Sequence, residues 1–392
     1  MGVELDISSI HFEPQAPADA RSAPLGYRGA AMSERIAQLV AGDDALAERF
    51  RAVYRWGSRV RVSEYHLTNA CNIRCKGCWF FEYEHDQETR EEKNLAVLEK
   101  FVLRERSERK INGALIIGGE PALFPDRLRV FLKHMKYCTI SSNGYKKVPY
   151  EGFEGLTVGL SLFGGGALDD ELRAIKPGGT PFTGLFERAL ENYRDDPRAG
   201  FVYALTEDGI GYIEETVRRI RQAGLIVNFN FYSKYGTDDP TAQSHQRELL
   251  DEALRVRALF PDTVVSHPYF IRAIITGATD WGRFGYDSCP SISIDHPAHA
   301  ERLRNGNPSL PLFNTYAADM KTVKFCCTSG HCSGCRDSQA VLSWLLVSLH
   351  RFLDSADTLR TWVEVSEGYW SQFVWSPYNR RNGADQPAAA AS

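Results

Sequence analysis

No stretch of the chain has the roughly 18 uninterrupted apolar residues that a membrane-spanning helix needs. The leader, residues 1–29, has early acids and prolines but no apolar segment, so it does not resemble a secretory signal. A basic excess is missing too. The formal net charge is -4, which argues against a nucleic-acid backbone as partner. There is no internal repeat beyond an alternation of strand and helix patterns. These absences point to a cytoplasmic protein with neither membrane nor nucleic acid among its partners.

Cysteine is not among the missing residues. The chain has nine, and they cluster at 71–78 and 326–335. In a reducing compartment such clusters are better explained by metal or iron-sulfur binding than by disulfides. Cys138 stands apart in a strand-like run and is expected to be buried as a small hydrophobe.

With 392 residues, 43% of them hydrophobic, the chain can build one large domain and a smaller appendage. Two helical patterns lie between Ser33 and Tyr54, broken at Gly42-Asp43-Asp44. From Arg59 to Thr276 strand-like runs alternate with amphipathic helices, the pattern of a parallel sheet built from βα units. The expected strands are Val60 to Thr68, Gly113 to Ile117, Tyr137 to Ser141, Leu156 to Leu162, Phe201 to Leu205 and Ile226 to Tyr232. Six such units predict an α/β fold, a partial (β/α)6 TIM-like barrel with N-terminal helices and a small C-terminal cysteine-containing domain. The expected divisions are 1–58, 59–276, 277–379 and a disordered tail at 380–392. Val264 to Thr276 is a candidate last strand or sheet extension. Ala340 to Leu353 and Ala356 to Val374 read as two apolar helices, the second with an aromatic stripe that fits core packing.

In parallel α/β sheets chemistry lies at the C-terminal ends of the strands. Here the first strand runs into Cys71-Asn72-Ile73-Arg74-Cys75-Lys76-Gly77-Cys78, three thiols on one short loop. Three thiolates can hold an iron-sulfur cluster and leave one iron without a protein ligand; a zinc knuckle or three buried thiols are the alternatives. The second strand ends in Gly118-Gly119-Glu120-Pro121, the third in Ser141-Ser142-Asn143-Gly144, and the fourth carries Ser161. Each motif alone is ordinary turn chemistry.

Taken in that order, the three-cysteine loop, GGEP and SNG resemble the radical S-adenosylmethionine (SAM) superfamily over roughly residues 59–235, the span in which the βα rhythm holds. The resemblance implies that Cys71, Cys75 and Cys78 bind a 4Fe-4S cluster whose fourth iron is chelated by SAM. It further implies SAM contacts from Gly118, Gly119 and Glu120, from Ser142 and Asn143, and from Ser161, with Arg173 or Lys176 as a carboxylate counter-charge. Many members have an aromatic residue just before the third cysteine. Here that position is Gly77, and Trp79 and Phe80 follow instead.

A second group, Cys289 with Cys326, Cys327, Cys332 and Cys335, looks like a shortened auxiliary-cluster domain of the twitch or SPASM type, with a second iron-sulfur cluster. Structural zinc and free thiols remain open for these residues. The implied activity is cleavage of SAM to a 5'-deoxyadenosyl radical, fed by a ferredoxin or flavodoxin. The substrate expected first is a small polar metabolite of sugar or aminocyclitol type undergoing oxidation, dehydration or epimerisation, since no winged-helix peptide-recognition domain is visible. A peptide maturase is the second expectation. A non-catalytic iron-sulfur carrier or zinc-stabilised binding module is the reading from another class.

Overall fold

The computed structural model describes residues 29–231, 243–279, 282–283, 313–324 and 336–373. Cys289, Cys326, Cys327, Cys332 and Cys335 lie outside the described residues, as do Tyr232, the leader before Gly29 and the tail beyond Phe373.

In chain order the helices are α1 (Gly29–Leu39), α2 (Asp44–Arg59), α3 (Trp79–Glu82), α4 (Leu95–Ser107), α5 (Pro125–His134), α6 (Gly166–Arg173), α7 (Leu185–Tyr193), α8 (Ile213–Gln222), α9 (Gln246–Leu259), α10 (Pro268–Thr276), α11 (Ser338–Val347) and α12 (Ala356–Phe373). The strands are β1 (Val62–Thr68), β2 (Gly113–Gly118), β3 (Tyr137–Ser142), β4 (Leu156–Phe163), β5 (Ala199–Leu205), β6 (Ile226–Phe231), β7 (Ala278–Thr279), β8 (Gly282–Arg283), β9 (Thr315–Tyr316) and β10 (Val323–Lys324).

Strands β1 to β6 pair in sequence order, all parallel, as the alternating pattern predicts for a TIM-like partial barrel. Their side chains divide cleanly between two faces because strand residues alternate. Tyr65, Ile116, Ile140, Leu160, Tyr203 and Phe229 enter the apolar core under the helices. The opposite, inner face is mixed: it carries polar residues from Glu64 and His66 on β1 to Asn228 and Asn230 on β6, among them Thr139, Ser141, Thr157 and Ser161, together with Leu115, Ile117, Val202, Ala204 and Ile226 and with Gly159 and Gly200. Along β4 and β5 this face is half-exposed where the helix-facing residues are buried, so the inner face borders open space.

The sheet is longer than the βα pattern indicates. Residues 313–324 add β9 parallel to β1 and β10 antiparallel to β9, giving the order β10-β9-β1-β2-β3-β4-β5-β6. Two-residue strands leave no periodic signature, which is why the pattern misses them. Tyr65 stacks on Tyr316 with ring centroids 5.6 Å apart, and both hydroxyls bond the buried Glu105.

Val264 to Thr276 is not a strand. Val264 makes one parallel bridge to Val227, after which α10 begins, with Pro268 in its first turn and the His267 side chain accepting from Tyr269 N–H. Proline in a first helical turn sacrifices no intrahelical bond, and that signal outweighs the β-branched composition of the run. The expected helix from Ala340 to Leu353 is α11 followed by a 3-10 turn, Leu349–Phe352. The described aromatics of α12 are core: Trp362, Tyr369 and Trp370 are buried, and Trp362 lies against Phe50 of α2 and donates its Nε1–H to Leu345 and Leu346 carbonyls. Cys138 is buried as expected, at 1% exposure. No helix among the described residues is long and apolar enough to cross a membrane.

Candidate active site

The end of β1 is held before the cysteine loop begins. Glu91 accepts hydrogen bonds from Thr68 Oγ1 and Asn69 N–H, both at 2.9 Å, and pairs with Arg127, which also donates to the Leu67 carbonyl. The segment that follows the cysteine loop is thereby stapled to the strand that precedes it.

The GGEP turn then packs directly on this strand end. Gly119 N–H donates to Thr68 O and Glu120 N–H to Ala70 O, both at 2.8 Å. A Cβ on Gly119 would lie 2.1 Å from Ala70 O, and one on Gly118, whose φ is +122°, would lie 2.6 Å from Thr68 O. Only residues without side chains permit this approach. Glu120 turns inward and is 1% exposed. Its carboxylate accepts from Ala122 N–H and Ser142 Oγ at 2.9 Å and from Asn143 N–H at 2.7 Å. Burial raises the pKa of Glu120, and these donors oppose the rise. One buried carboxylate thus joins the ends of β2 and β3. Asn143 passes the link on, since its Nδ2 donates to Asn72 Oδ1 at 2.7 Å and to Cys71 Sγ at 3.8 Å.

The cysteine loop also pairs with the end of α6. Arg74 N–H donates to Ile175 O and Lys76 N–H to Leu172 O, each at 2.7 Å, so Cys75 is straddled by backbone bonds to the segment that holds Arg173. Ile73 is buried with Ala174 and Leu185, and Cys71, Cys75 and Phe182 pack against them. The Arg74 guanidinium covers the Phe81 ring at 3.8 Å. Gly77 has φ +71°, a conformation that strains any L-side chain, and its N–H donates to Glu82. An aromatic residue has no easy place there. Trp79 instead packs edge-on to His66 on the inner face at 5.5 Å.

Burial pushes the Cys71 thiol up to about 11 and the Cys75 thiol up to about 12, and raises Cys78 as well. The Cys78 charge raises Cys71 and Cys75 further, and the Cys71 charge raises Cys75. Among the described residues no group of three His, Cys, Asp or Glu side chains is arranged to hold a single metal ion. A four-iron cluster would take each of three thiolates on a different iron, whereas zinc takes four ligands on one ion.

Of the two candidate counter-charges, Lys176 is exposed. Arg173 is 1% exposed and donates from Nη1 to both oxygens of Asp169, at 2.9 and 3.3 Å. Its Nε and Nη2 have no hydrogen-bond partner among the described residues. Ser161 lies on the inner face, its Oγ 3.5 Å from Ser141 Oγ.

A set of ionisable residues next to Trp79 escapes sequence reasoning. His66 is 2% exposed, and burial lowers its pKa. His85 Nδ1 lies 2.6 Å from Glu88 and 2.8 Å from Lys324 Nζ, and burial lowers Lys324 to about 8. Lys324 arrives on β10 from more than two hundred residues away, which no local motif announces. Glu91 and Arg127 are also missed, because they act through partners distant in sequence, and Asp169 is missed although its partners, Phe163 and Arg173, are near in the chain.

No protein-family profile matches the sequence, and no curated protein matches it. Among solved structures the chain is similar to one described as native anSMEcpe with bound AdoMet, at 16% identity and a TM-score of 0.46, covering 68% of this chain and 74% of that one. It is similar to Streptococcus suis SuiB at 17% identity and a TM-score of 0.37, over 54% of this chain and half, 50%, of that one. With SuiB bound to S-adenosylmethionine the figures are 12% identity, a TM-score of 0.38, and 74% and 68% coverage. At these identities and scores the likeness carries no functional argument.

Proposed function

We propose that the chain is a radical SAM enzyme in which Cys71, Cys75 and Cys78 hold a 4Fe-4S cluster. The observation that carries this reading is the three-thiol loop clasped to the rim of the sheet, with Glu120 joining the GGEP and SSN strand ends and Asn143 reaching Cys71. A carrier or a zinc knuckle has no need for that clasp. The donor set fits: three thiols lie on one short loop, and the buried Arg173 guanidinium, with Nη1 on Asp169 and with Nε and Nη2 free of a hydrogen bond among the described residues, lies beside them. When bound, the cluster and SAM supply a 5'-deoxyadenosyl radical able to take hydrogen from an unactivated C–H bond.

The chain's own residues orient and enclose. Glu120 and the two glycines fix the loop against β1 and β2, so that the thiols are placed before any metal arrives. Ser142, Asn143 and Ser161 are the proposed SAM contacts, together with the Gly118-Gly119-Glu120 backbone. Gly118 and Gly119 present carbonyls for this, since the Gly119 and Glu120 N–H groups are already bonded to β1 and the loop.

Polar residues of the inner face support a small polar metabolite of sugar or aminocyclitol type as the substrate class. Ser141, Ser161, Thr139, Thr157, Asn228 and Asn230 bring hydroxyls and amides to that face. The same face carries Leu115, Ile117, Val202, Ala204 and Ile226, so the lining is mixed, and its hydroxyls and amides can match the polar groups of a small polyhydroxylated or aminated metabolite. We assign the reductant to the ferredoxin or flavodoxin class. The second cysteine group supports an auxiliary cluster by its composition alone.

The test is to incubate anaerobically reconstituted protein with reductant, SAM and a deuterated cell-metabolite extract, and to trace deuterium into 5'-deoxyadenosine. Transfer from a small polar metabolite supports the assignment. Transfer only from an added precursor peptide would make the enzyme a peptide maturase, and no 5'-deoxyadenosine at all would remove the radical reading.

A further inference from the structure

The buried cation beside the cysteine loop is not fully engaged. Arg173 ends α6, and the carbonyls of Leu172 and Ile175 on either side of it receive the N–H groups of Lys76 and Arg74 on either side of Cys75. Two segments joined at both flanks bring their central residues opposite one another. Arg173 is therefore set against Cys75 by backbone pairing, and it cannot swing away without breaking 2.7 Å bonds.

Asp169 fixes the guanidinium in orientation as well as place. It is 0% exposed and takes Arg173 Nη1 on both oxygens, while its Oδ1 also accepts Phe163 N–H at 2.8 Å from the end of β4. The Phe163 ring closes one side of the guanidinium, 5.2 Å away. With Nη1 committed to Asp169, Nε and Nη2 remain, buried and without a hydrogen-bond partner among the described residues. Leaving such donors unpaired is costly. The Arg173 side chain is also near enough to the Cys75 thiol to interact with it.

We propose that Arg173 is a positioning residue for the cluster itself: it donates to the Cys75 sulfur in the loaded site and raises the cluster's reduction potential. Hydrogen bonds to ligand sulfurs and nearby positive charge both favour the reduced cluster. A guanidinium dedicated to the SAM carboxylate would act only when SAM is present. The sulfur assignment rests on the proposed 4Fe-4S site, and it makes Arg173 act without SAM.

The experiment is an anaerobic redox titration of the reconstituted, SAM-free protein, read by electron paramagnetic resonance of the reduced cluster, with iron per chain and thermal melting as controls. Two variants are compared with wild type. Arg173→Met with Asp169→Asn removes both buried charges together, so neither is left unpaired. Arg173→Lys keeps a charge that Asp169 claims, and it decides alone if the double variant does not fold. The expected result is a lower potential in both, with about tenfold less reduced cluster at a fixed poise in the double variant, equivalent to about 59 mV for a one-electron couple.

An unchanged potential in SAM-free variants overturns the proposal. So does a loss of SAM affinity with the potential untouched, which would give Arg173 to the SAM carboxylate. If wild type itself shows no 4Fe-4S signal, the proposed function fails first, and that outcome is distinguishable from a normal cluster indifferent to Arg173.

Discussion

Replacing Gly119 by Ala would test whether the GGEP turn exists to seat the first cysteine. The added Cβ would lie 2.1 Å from the Ala70 carbonyl oxygen, 2.4 Å from its carbon and 3.1 Å from Cys71 N. All three are backbone atoms, so no side-chain rotation relieves the overlap. Gly119 has no positive φ, so the perturbation is steric alone. Real Cβ contacts are not found under 3.0 Å, and Ala70 must retreat by about 1 Å, taking Cys71 with it. Overpacking of this kind costs about 1–3 kcal/mol, a fall in melting temperature of only a few degrees for a chain this size. The damage should fall on the site instead. Iron per chain after anaerobic reconstitution should drop, and SAM-dependent release of 5'-deoxyadenosine should drop at least tenfold, because angstrom-scale misplacement commonly costs that much or more. Gly155→Ala is the control: its Cβ would meet only Leu132 Cδ2, at 4.0 Å, and loading should be unchanged. A folded Gly119→Ala protein with full iron and wild-type release would refute the seating argument.

Glu120→Gln puts an amide N–H group where three donors now converge; it should cost about 1–3 kcal/mol by thermal melting and weaken SAM binding, and an unchanged melting temperature would deny Glu120 its joining role. Cluster loading should release protons. Burial holds the Cys71 and Cys75 thiols near 11 and 12, above the ordinary thiol value, so at pH 8 all three ligands start protonated and bind as thiolates. About three protons per chain should appear in weak buffer, loading at limiting iron should improve as pH rises from 7 to 9, and pH-independent loading would contradict this. For the second cysteine group, reconstitution should give about eight irons per chain, falling to about four when Cys332 and Cys335 become Ala; a value of about four in both would remove the auxiliary cluster.

The fold was largely legible because βα units advertise themselves by period. Each of the six expected strands appears within two residues of its expected ends, apart from the unplaced Tyr232. What was hidden has a common cause. β9 and β10 are too short for any period; β9 is recruited to β1 by a pairing more than two hundred residues apart in sequence, and β10 follows by pairing with β9. α10 was mistaken for a strand because its isoleucines speak for β structure, while Pro268 and the His267 cap speak for a helix start.

Within the site, the cysteine loop, the GGEP turn and the SSN turn were legible as motifs, but their division of labour was not. Glu120 and Asn143 had been expected as ligand contacts, and the side chains of both are engaged in holding the protein to itself. Arg173 and Lys176 were equivalent in sequence. Burial separates them: Lys176 faces solvent, while Arg173 is opposed to Cys75 by the pairing of two loops. Tertiary contacts of this kind leave no trace in spacing.

The central claim is that three thiols on one loop hold a cluster that cleaves SAM. The most direct measurement is 5'-deoxyadenosine released by the reconstituted, dithionite-reduced protein given SAM, alongside Cys75→Ala with its folding checked by circular dichroism. Release by wild type and its loss in the folded variant is the predicted result. No release from fully loaded wild type, or release that survives the loss of Cys75, would contradict the account.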